Sequence, residues 1–126
     1  MLEQNKNLEK IMKNHGEVEQ MAPARWFVNF GNNKLNENIL VEVSICENDG
    51  SKYALPKLWK KNGWMDHELK TWIHLMVYVT DPSGLCHGKY NPTEKAGKIN
   101  FQWVLEATPE NLEKLLTEVE RRAGLM

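Results

Sequence analysis

The stretch ILVEVSIC at residues 39–46 decides the fold class, because apolar β-branched side chains occupy every second position. This two-residue period is typical of a β-strand with one buried face. The predicted core face carries Ile39, Val41, Val43 and Ile45, and the opposite face carries Leu40, Glu42, Ser44 and Cys46. The Asp-Gly pair in the ENDG sequence that follows predicts a tight turn at the end of this strand.

The same alternation predicts further strands on both sides of this stretch. ARWFVNF at residues 24–30 precedes it and is expected to pair with it as a hairpin. LKTWIHLMVYVT at 69–80, LCHGKY at 85–90 and KINFQWVLE at 98–106 follow it, separated by turn sequences such as DPSG. Short turns between strands favour antiparallel pairing.

A helix is predicted near each end of the chain. Residues 2–13 carry a thin apolar stripe that stops at His15-Gly16, so we expect the N-terminal helical segment 1–21 to dock loosely or to pack on a partner chain. Residues 108–123 form the better helix, with Thr108 as N-cap and apolar residues three and four positions apart. The prediction is one α+β domain over residues 1–126: an antiparallel sheet of about five strands with both helices packed on one face.

Composition narrows the class of protein. The chain has 126 residues, 41% of them apolar, and a net charge of −1, which is unlike a nucleic-acid-binding polycation. Its N-terminal MLEQNKNLEK lacks the apolar region of a signal peptide, and only two cysteines are present. We therefore expect a cytoplasmic protein with free thiols and no contact with a membrane. The net charge also disfavours direct binding of nucleic acid, which stays open as an alternative.

Catalytic chemistry is only weakly indicated. Cys86 and His87 are neighbours in a predicted strand, so their side chains are expected on opposite faces and cannot share one substrate or metal ion. The histidines show no zinc-binding spacing, and no phosphate-binding glycine loop is present, so neither a metal nor another cofactor is expected. A small hydrolase or nuclease that uses His74, His87 or Cys86, with Cys86 meeting His74 across a strand pair, stays open as an alternative.

Two surfaces are candidate binding sites. The first is the sequence LPKLWKKNGW at residues 55–64, in which two tryptophans lie among lysines; it is either a stacking and charge surface or a loop that anchors its tryptophans in the core. The second is the sheet face opposite the predicted core, which is either open or covered by a further helix. The candidate residues in the loop are Lys57, Trp59, Lys60, Lys61 and Trp64. Those on the sheet face are Arg25, Asn29, Trp72, His74, Tyr78, Asn100 and Gln102.

Sequence patterns at residues 81–92 and 99–123 in the later part of the chain resemble those of small uncharacterised proteins of phages and prophages of Gram-positive bacteria. The likeness lies in the pattern D-x-x-G-x-C-x-G-K-Y-N-P at 81–92, in which Tyr90 and Asn91 are candidate ligand- or partner-binding residues, and in INFQWVLEATPENLEKLLTEVERRA at 99–123. LPKLWKKNGW at 55–64 is similar as well. The resemblance covers about the last 75 residues and transfers no catalytic residue.

That resemblance implies a role in countering bacterial defence. The first expectation is a non-catalytic inhibitor that binds a host immune effector, in the manner of an anti-CRISPR protein. An alternative is a sponge that sequesters a cyclic-nucleotide or ADP-ribose-type signal, with the tryptophans, Arg25 and the lysine loop around the ligand at an oligomer interface. The expected partners are therefore a host defence protein, a nucleotide second messenger or a second copy of the chain.

Overall fold

The computed structural model describes residues 3–47, 71–80, 82–83, 86–89 and 106–126. Within them the chain forms two helices and five strands. In chain order these are α1 (Glu3–Lys13), β1 (Glu17–Ala22), β2 (Arg25–Asn32), β3 (Asn38–Glu47), β4 (Thr71–Thr80), β5 (Cys86–Lys89) and α2 (Pro109–Arg122). The strands lie in the sheet in the order β1-β2-β3-β4-β5, and every neighbouring pair is antiparallel.

The predicted α+β class is confirmed, as are the antiparallel pairing and the helix near each end of the chain. The hairpin expected between ARWFVNF and ILVEVSIC is present, with Val28 opposite Val41. β3 and β4 are paired along their whole lengths, from Asn38 opposite Thr80 to Glu47 opposite Thr71. These two strands form the centre of the described sheet.

The set of strands differs from the prediction. Four of the described strands, β1 to β4, have six residues or more, whereas about five strands were predicted. The short β5 adds only four residues beside β4. The N-terminal segment is helical only to Lys13, because residues 17–22 extend beside β2 as β1. The strand predicted at 98–106 lies outside the described residues except for Glu106, which forms an isolated antiparallel bridge with Trp72.

Both helices pack on the face of the sheet that carries the β-branched residues, which we call the inner face. Leu8 and Met12 of α1 are completely buried, so this helix is docked on the core rather than loosely attached. The Trp26 indole Nε1 donates a hydrogen bond to Glu9 at 3.0 Å, and this bond holds the pKa of the Glu9 carboxyl below its usual value. Among the side chains that the structure describes, the buried residues of this core come from α1, β2, β3, β4 and α2, with α2 contributing Leu112, Leu115, Leu116 and Val119.

Local capping explains where α2 begins. The Thr108 hydroxyl accepts a hydrogen bond from the backbone N–H of Asn111, and Pro109 occupies the first turn, where no intrahelical donor is needed. Gly124 follows the helix with φ of +73°, a conformation that favours glycine. The sequence prediction of this helix is therefore confirmed at both ends.

The turn between β2 and β3 ties the sheet to the end of α2. The Asn33 carboxamide oxygen accepts hydrogen bonds from the backbone N–H groups of Leu35 and Glu37, and its Nδ2 donates to the Ala123 carbonyl at 2.7 Å. A bulge in β2 precedes this turn, where the pairing with β3 shifts between Asn29 and Gly31. The sheet and the C-terminal helix are thus fixed relative to each other by polar contacts as well as by the core.

Candidate functional site

The other face of the sheet, here called the outer face, carries the side chains that alternate with the core residues. Strand register places Phe27 opposite Glu42, and Leu40 opposite Tyr78, on this face. Phe27, Leu40 and Tyr78 are half-buried, whereas both described helices lie against the inner face. Apolar and aromatic surface therefore remains accessible on the outer face.

A polar network at the centre of the outer face joins three strands. Glu42 is only 5% exposed, and one of its carboxylate oxygens accepts hydrogen bonds from Nε and Nη2 of Arg25, both at 2.7 Å. The Tyr78 hydroxyl donates to the other oxygen at 3.2 Å. The buried carboxylate is thereby neutralised by a guanidinium that stays 55% exposed. Since Nε and one terminal nitrogen are held, Arg25 presents its remaining N–H groups to solvent in a fixed orientation.

Aromatic packing surrounds this network. The rings of Phe27 and Tyr78 meet edge to face, with centroids 6.3 Å apart. Next to them, residues of β1, β2 and β3 line a shallow hollow of about 210 Å³. Its lining includes Glu17, Glu19, Phe27, Asn29 and Leu40. The hollow combines an apolar floor with two exposed carboxylates on its rim.

The predicted sheet-face residues are distributed unevenly. Arg25 and Asn29 are exposed and His74 and Tyr78 are half-buried on the outer face, as their alternation predicted. Trp72 is a correction: only 5% of its surface is exposed, so it does not offer the accessible contact that the sequence suggested. The bridge between Trp72 and Glu106 places the residue three positions before α2 beside the start of β4, where Trp72 and Ile73, on opposite faces of the strand, are both buried.

Several predicted site residues lie outside the described residues. They are Lys57, Trp59, Lys60, Lys61 and Trp64 of the tryptophan–lysine loop, Tyr90 and Asn91, and Asn100 and Gln102. A second hollow, between the β2–β3 turn and the end of α2, has a volume of about 120 Å³. That is smaller than the roughly 300 Å³ at which ligand sites begin. The nucleotide-sponge alternative depends on the undescribed loop and stays a prediction.

The strand register decides whether Cys86 and His74 can meet as a catalytic thiol–imidazole pair. Cys86 lies opposite Thr80, whereas His74 lies opposite Ser44, six residues further along β4. Six residues of extended chain span about 20 Å, so a direct Cys86–His74 dyad is excluded. Burial also raises the pKa of the Cys46 thiol, which makes it a weak nucleophile. Among the described residues, no group of three histidine, cysteine or acidic side chains is arranged to hold a metal ion.

A second polar cluster was missed by sequence reasoning, which treated His15 only as part of a helix stop. The imidazole bridges two acidic residues of α2: Nε2 lies 2.8 Å from a carboxylate oxygen of Glu113, and Nδ1 contacts Glu120. The ring also stacks on Phe30 of β2, with centroids 6.0 Å apart. Carboxylates only accept hydrogen bonds, so both ring nitrogens must donate, which requires the doubly protonated imidazolium. This cluster holds the end of α1 against α2.

Phe27 and Glu42 were also missed as site residues. The signal available was their position on the non-core face of two strands predicted to pair, beside Arg25. The pairing register of β2 and β3 decides which acidic side chain contacts Arg25. That register depends on a bulge in β2 that the sequence pattern does not show.

Comparisons with known proteins assign no family. The chain matches no protein-family model, no curated protein and no solved structure. Neither of the helices described here has the length and apolar character that crossing a membrane requires.

Proposed function

We propose that this protein is a non-catalytic binding protein of the phage type, which counteracts bacterial defence by binding a host immune effector and blocking one of its surfaces. The observation that carries this proposal is the outer face, where an exposed Arg25 is fixed by a buried Glu42. The phage-protein likeness in the later part of the chain supplies the biological setting.

The composition of the outer face suits protein recognition. Arginine and aromatic residues are enriched at the energetic centres of interfaces, where truncation of one side chain often costs 2 kcal/mol or more. Arg25 is held by two hydrogen bonds to Glu42, and the Phe27 and Tyr78 rings pack against each other beside it. Side chains that are already ordered lose less conformational entropy on binding, so more of the contact energy appears as affinity.

The location of the network also favours binding over turnover. Arg25 and Glu42 are joined by direct hydrogen bonds, so neither is poised to transfer a proton to a substrate. The strand register separates Cys86 from His74, which is the one Cys–His pair that the sequence suggested could meet across strands. A fixed cation flanked by aromatic rings instead provides a site for a carboxylate or carbonyl group of a partner.

The test is affinity capture with the intact protein from lysates of Gram-positive hosts, combined with a plaque assay in cells that carry an active defence system. We expect one host defence protein to be retained in a fixed molar ratio, and phage plating to rise when the protein is expressed. Arg25→Ala with Phe27→Ala should remove both effects. Lys114→Ala, an exposed charge on α2, is the matched control and should leave both effects unchanged.

Two results would overturn the proposal. One is the absence of any retained host protein across hosts whose defence the protein relieves. The other is relief of defence at amounts far below that of the target, which would indicate catalytic turnover.

A further inference from the structure

We infer that the β1 edge of the sheet binds an extended, lysine- or arginine-bearing segment of the partner protein, which adds to the sheet as a further strand. This inference rests on the proposed binding function and specifies the chemistry of the surface that the protein recognises. Three observations on β1 and the neighbouring hollow support it.

The first observation is the position of β1 in the sheet. In the described part of the chain β1 pairs with β2 on one side and with no strand on its other side. In an antiparallel strand, alternate backbone N–H and C=O groups point away from the neighbour, so a six-residue edge offers a row of unpaired groups. An incoming extended segment can satisfy those groups by adding to the edge.

The second observation is the charge along this edge. Glu17 lies opposite Asn29 and Glu19 opposite Phe27, which places both carboxylates on the outer face. Both are exposed, and within the described residues neither forms an ion pair. Two adjacent carboxylates of one strand face favour an approaching segment that carries positive charge.

The third observation is the apolar floor beside these carboxylates. Phe27 and Leu40 are half-buried in the hollow whose rim Glu17 and Glu19 form. A lysine or arginine side chain has an aliphatic stem that packs on apolar surface and a cationic end that reaches a carboxylate. The hollow therefore matches the shape and the polarity of such a side chain on a strand placed next to β1.

The same charges argue against a second copy of the chain as the occupant. Antiparallel pairing of two β1 strands centred on Glu19 would place Glu19 opposite its own copy. Pairing centred on Val18 would place Glu17 opposite Glu19. Like charges directly opposite each other destabilise a strand pair, so in these two registers a basic segment is a better partner than a second copy.

The experiment uses the intact protein and three synthetic peptides, observed through backbone amide chemical shifts. The first peptide alternates valine and lysine, the second replaces each lysine with glutamate, and the third is the lysine peptide with every second backbone amide methylated. We expect the lysine peptide to shift the amides of β1 and of Phe27 and Leu40 in a saturable manner. The glutamate and methylated peptides should bind at least about tenfold more weakly.

Two double variants test the contribution of charge to peptide binding separately from that of strand addition. Glu17→Gln with Glu19→Gln should weaken binding of the lysine peptide by about tenfold at low salt and reduce its salt dependence. Glu106→Gln with Glu110→Gln removes two exposed carboxylates far from β1 in the chain and should change nothing. Equal binding of the glutamate or methylated peptide, or shifts away from β1, would overturn the inference, as would a stable dimer through β1 in sedimentation.

The failure of this inference can be told from failure of the proposed function. If the Glu17→Gln, Glu19→Gln variant binds the captured host protein as tightly as the wild type, the edge inference is wrong and the binding function stands. If the wild type captures no host protein, the proposed function itself is wrong, whatever the peptides do.

Discussion

Replacing His15 with alanine removes the side chain that joins the end of α1 to α2 and to β2. The His15 side chain is only 7% exposed, whereas its partners Glu113 and Glu120 are 48% and 26% exposed. Both carboxylates would lose their cation, and the ring of Phe30 would lose its stacking partner. We therefore expect a clear loss of stability that depends on pH.

The size of the stability loss in His15→Ala follows from how exposed each contact of His15 is. The bond to Glu113 is close to a surface ion pair and contributes about 0.5 kcal/mol, while the less exposed bond to Glu120 contributes about 1 kcal/mol. The stacking on Phe30 adds about 0.5–1 kcal/mol. The sum is about 2 kcal/mol at a pH near 5.5, equivalent to a fall in Tm of about 8 °C for a domain of this size.

The pH dependence has a definite sign. Burial alone would lower the pKa of His15, but the hydrogen bonds to Glu113 and Glu120 outweigh it and raise the pKa above the usual 6.5. The charged ring is therefore favoured in the folded state. Its stabilisation is fully present below about pH 6.5 and is lost as the pH rises through the higher folded-state pKa.

The assay is urea unfolding followed by tryptophan fluorescence at several pH values between about 5.5 and 8.5. The difference in the free energy of unfolding between wild type and His15→Ala should be largest at the acidic end and shrink towards the basic end. Glu120→Gln should cost more than Glu113→Gln, because Glu120 is less exposed, and Lys114→Ala should have no pH-dependent effect. A difference that is constant with pH, or that grows as the pH rises, would refute the reasoning.

Three further predictions concern single positions. A Cβ at Gly16 would lie 2.2 Å from the backbone oxygen of Asn29. Gly16→Ala should therefore destabilise the protein by about 2 kcal/mol in thermal unfolding, and an unchanged Tm would contradict the close approach. Thr108→Ala should cost about 1 kcal/mol because α2 loses its N-cap bond, whereas Thr108→Ser should restore most of it; equal losses would argue against capping. In a Cys86→Ser background, Cys46 should react slowly with a thiol reagent at neutral pH because burial raises its pKa, and rapid reaction in the native state would show that the thiol is accessible.

The elements with strong periodicity were predictable from sequence. The alternation in ILVEVSIC identified β3 and the residues of its buried face, and the spacing of leucines with Thr108 identified α2 with its N-cap. In both cases one chemical property repeats with the period of the backbone, and burial of that face stabilises the element.

β1 was not predictable in the same way, because it buries little surface. Its sequence EVEQMA has one half-buried residue, Val18, and the remaining positions are exposed. Hydrogen bonds to β2 hold the strand in place, and those bonds depend on the tertiary arrangement rather than on a local pattern. The sequence pattern therefore groups this segment with the N-terminal helical region, although it predicts the end of α1 correctly.

The candidate site was predictable only in part. Alternation placed Arg25 and Tyr78 on the outer face, but the meeting of Arg25 with Glu42 is diagonal, since Arg25 lies opposite Ser44. Such a contact depends on the register and on side-chain reach. The sequence pattern also does not show that Trp72 is buried, or that Glu106, which is distant in sequence, forms an antiparallel bridge with it.

The most direct test of the binding function is the dissociation constant of the captured host protein, measured by calorimetry for the wild type and for outer-face variants. Arg25→Ala should weaken binding by about 30-fold. Arg25→Lys retains a cation for Glu42 but lacks the planar guanidinium, so it should weaken binding with little effect on stability. An unchanged dissociation constant in both folded variants, with Lys114→Ala also unchanged, would contradict the assignment of the outer face as the binding surface.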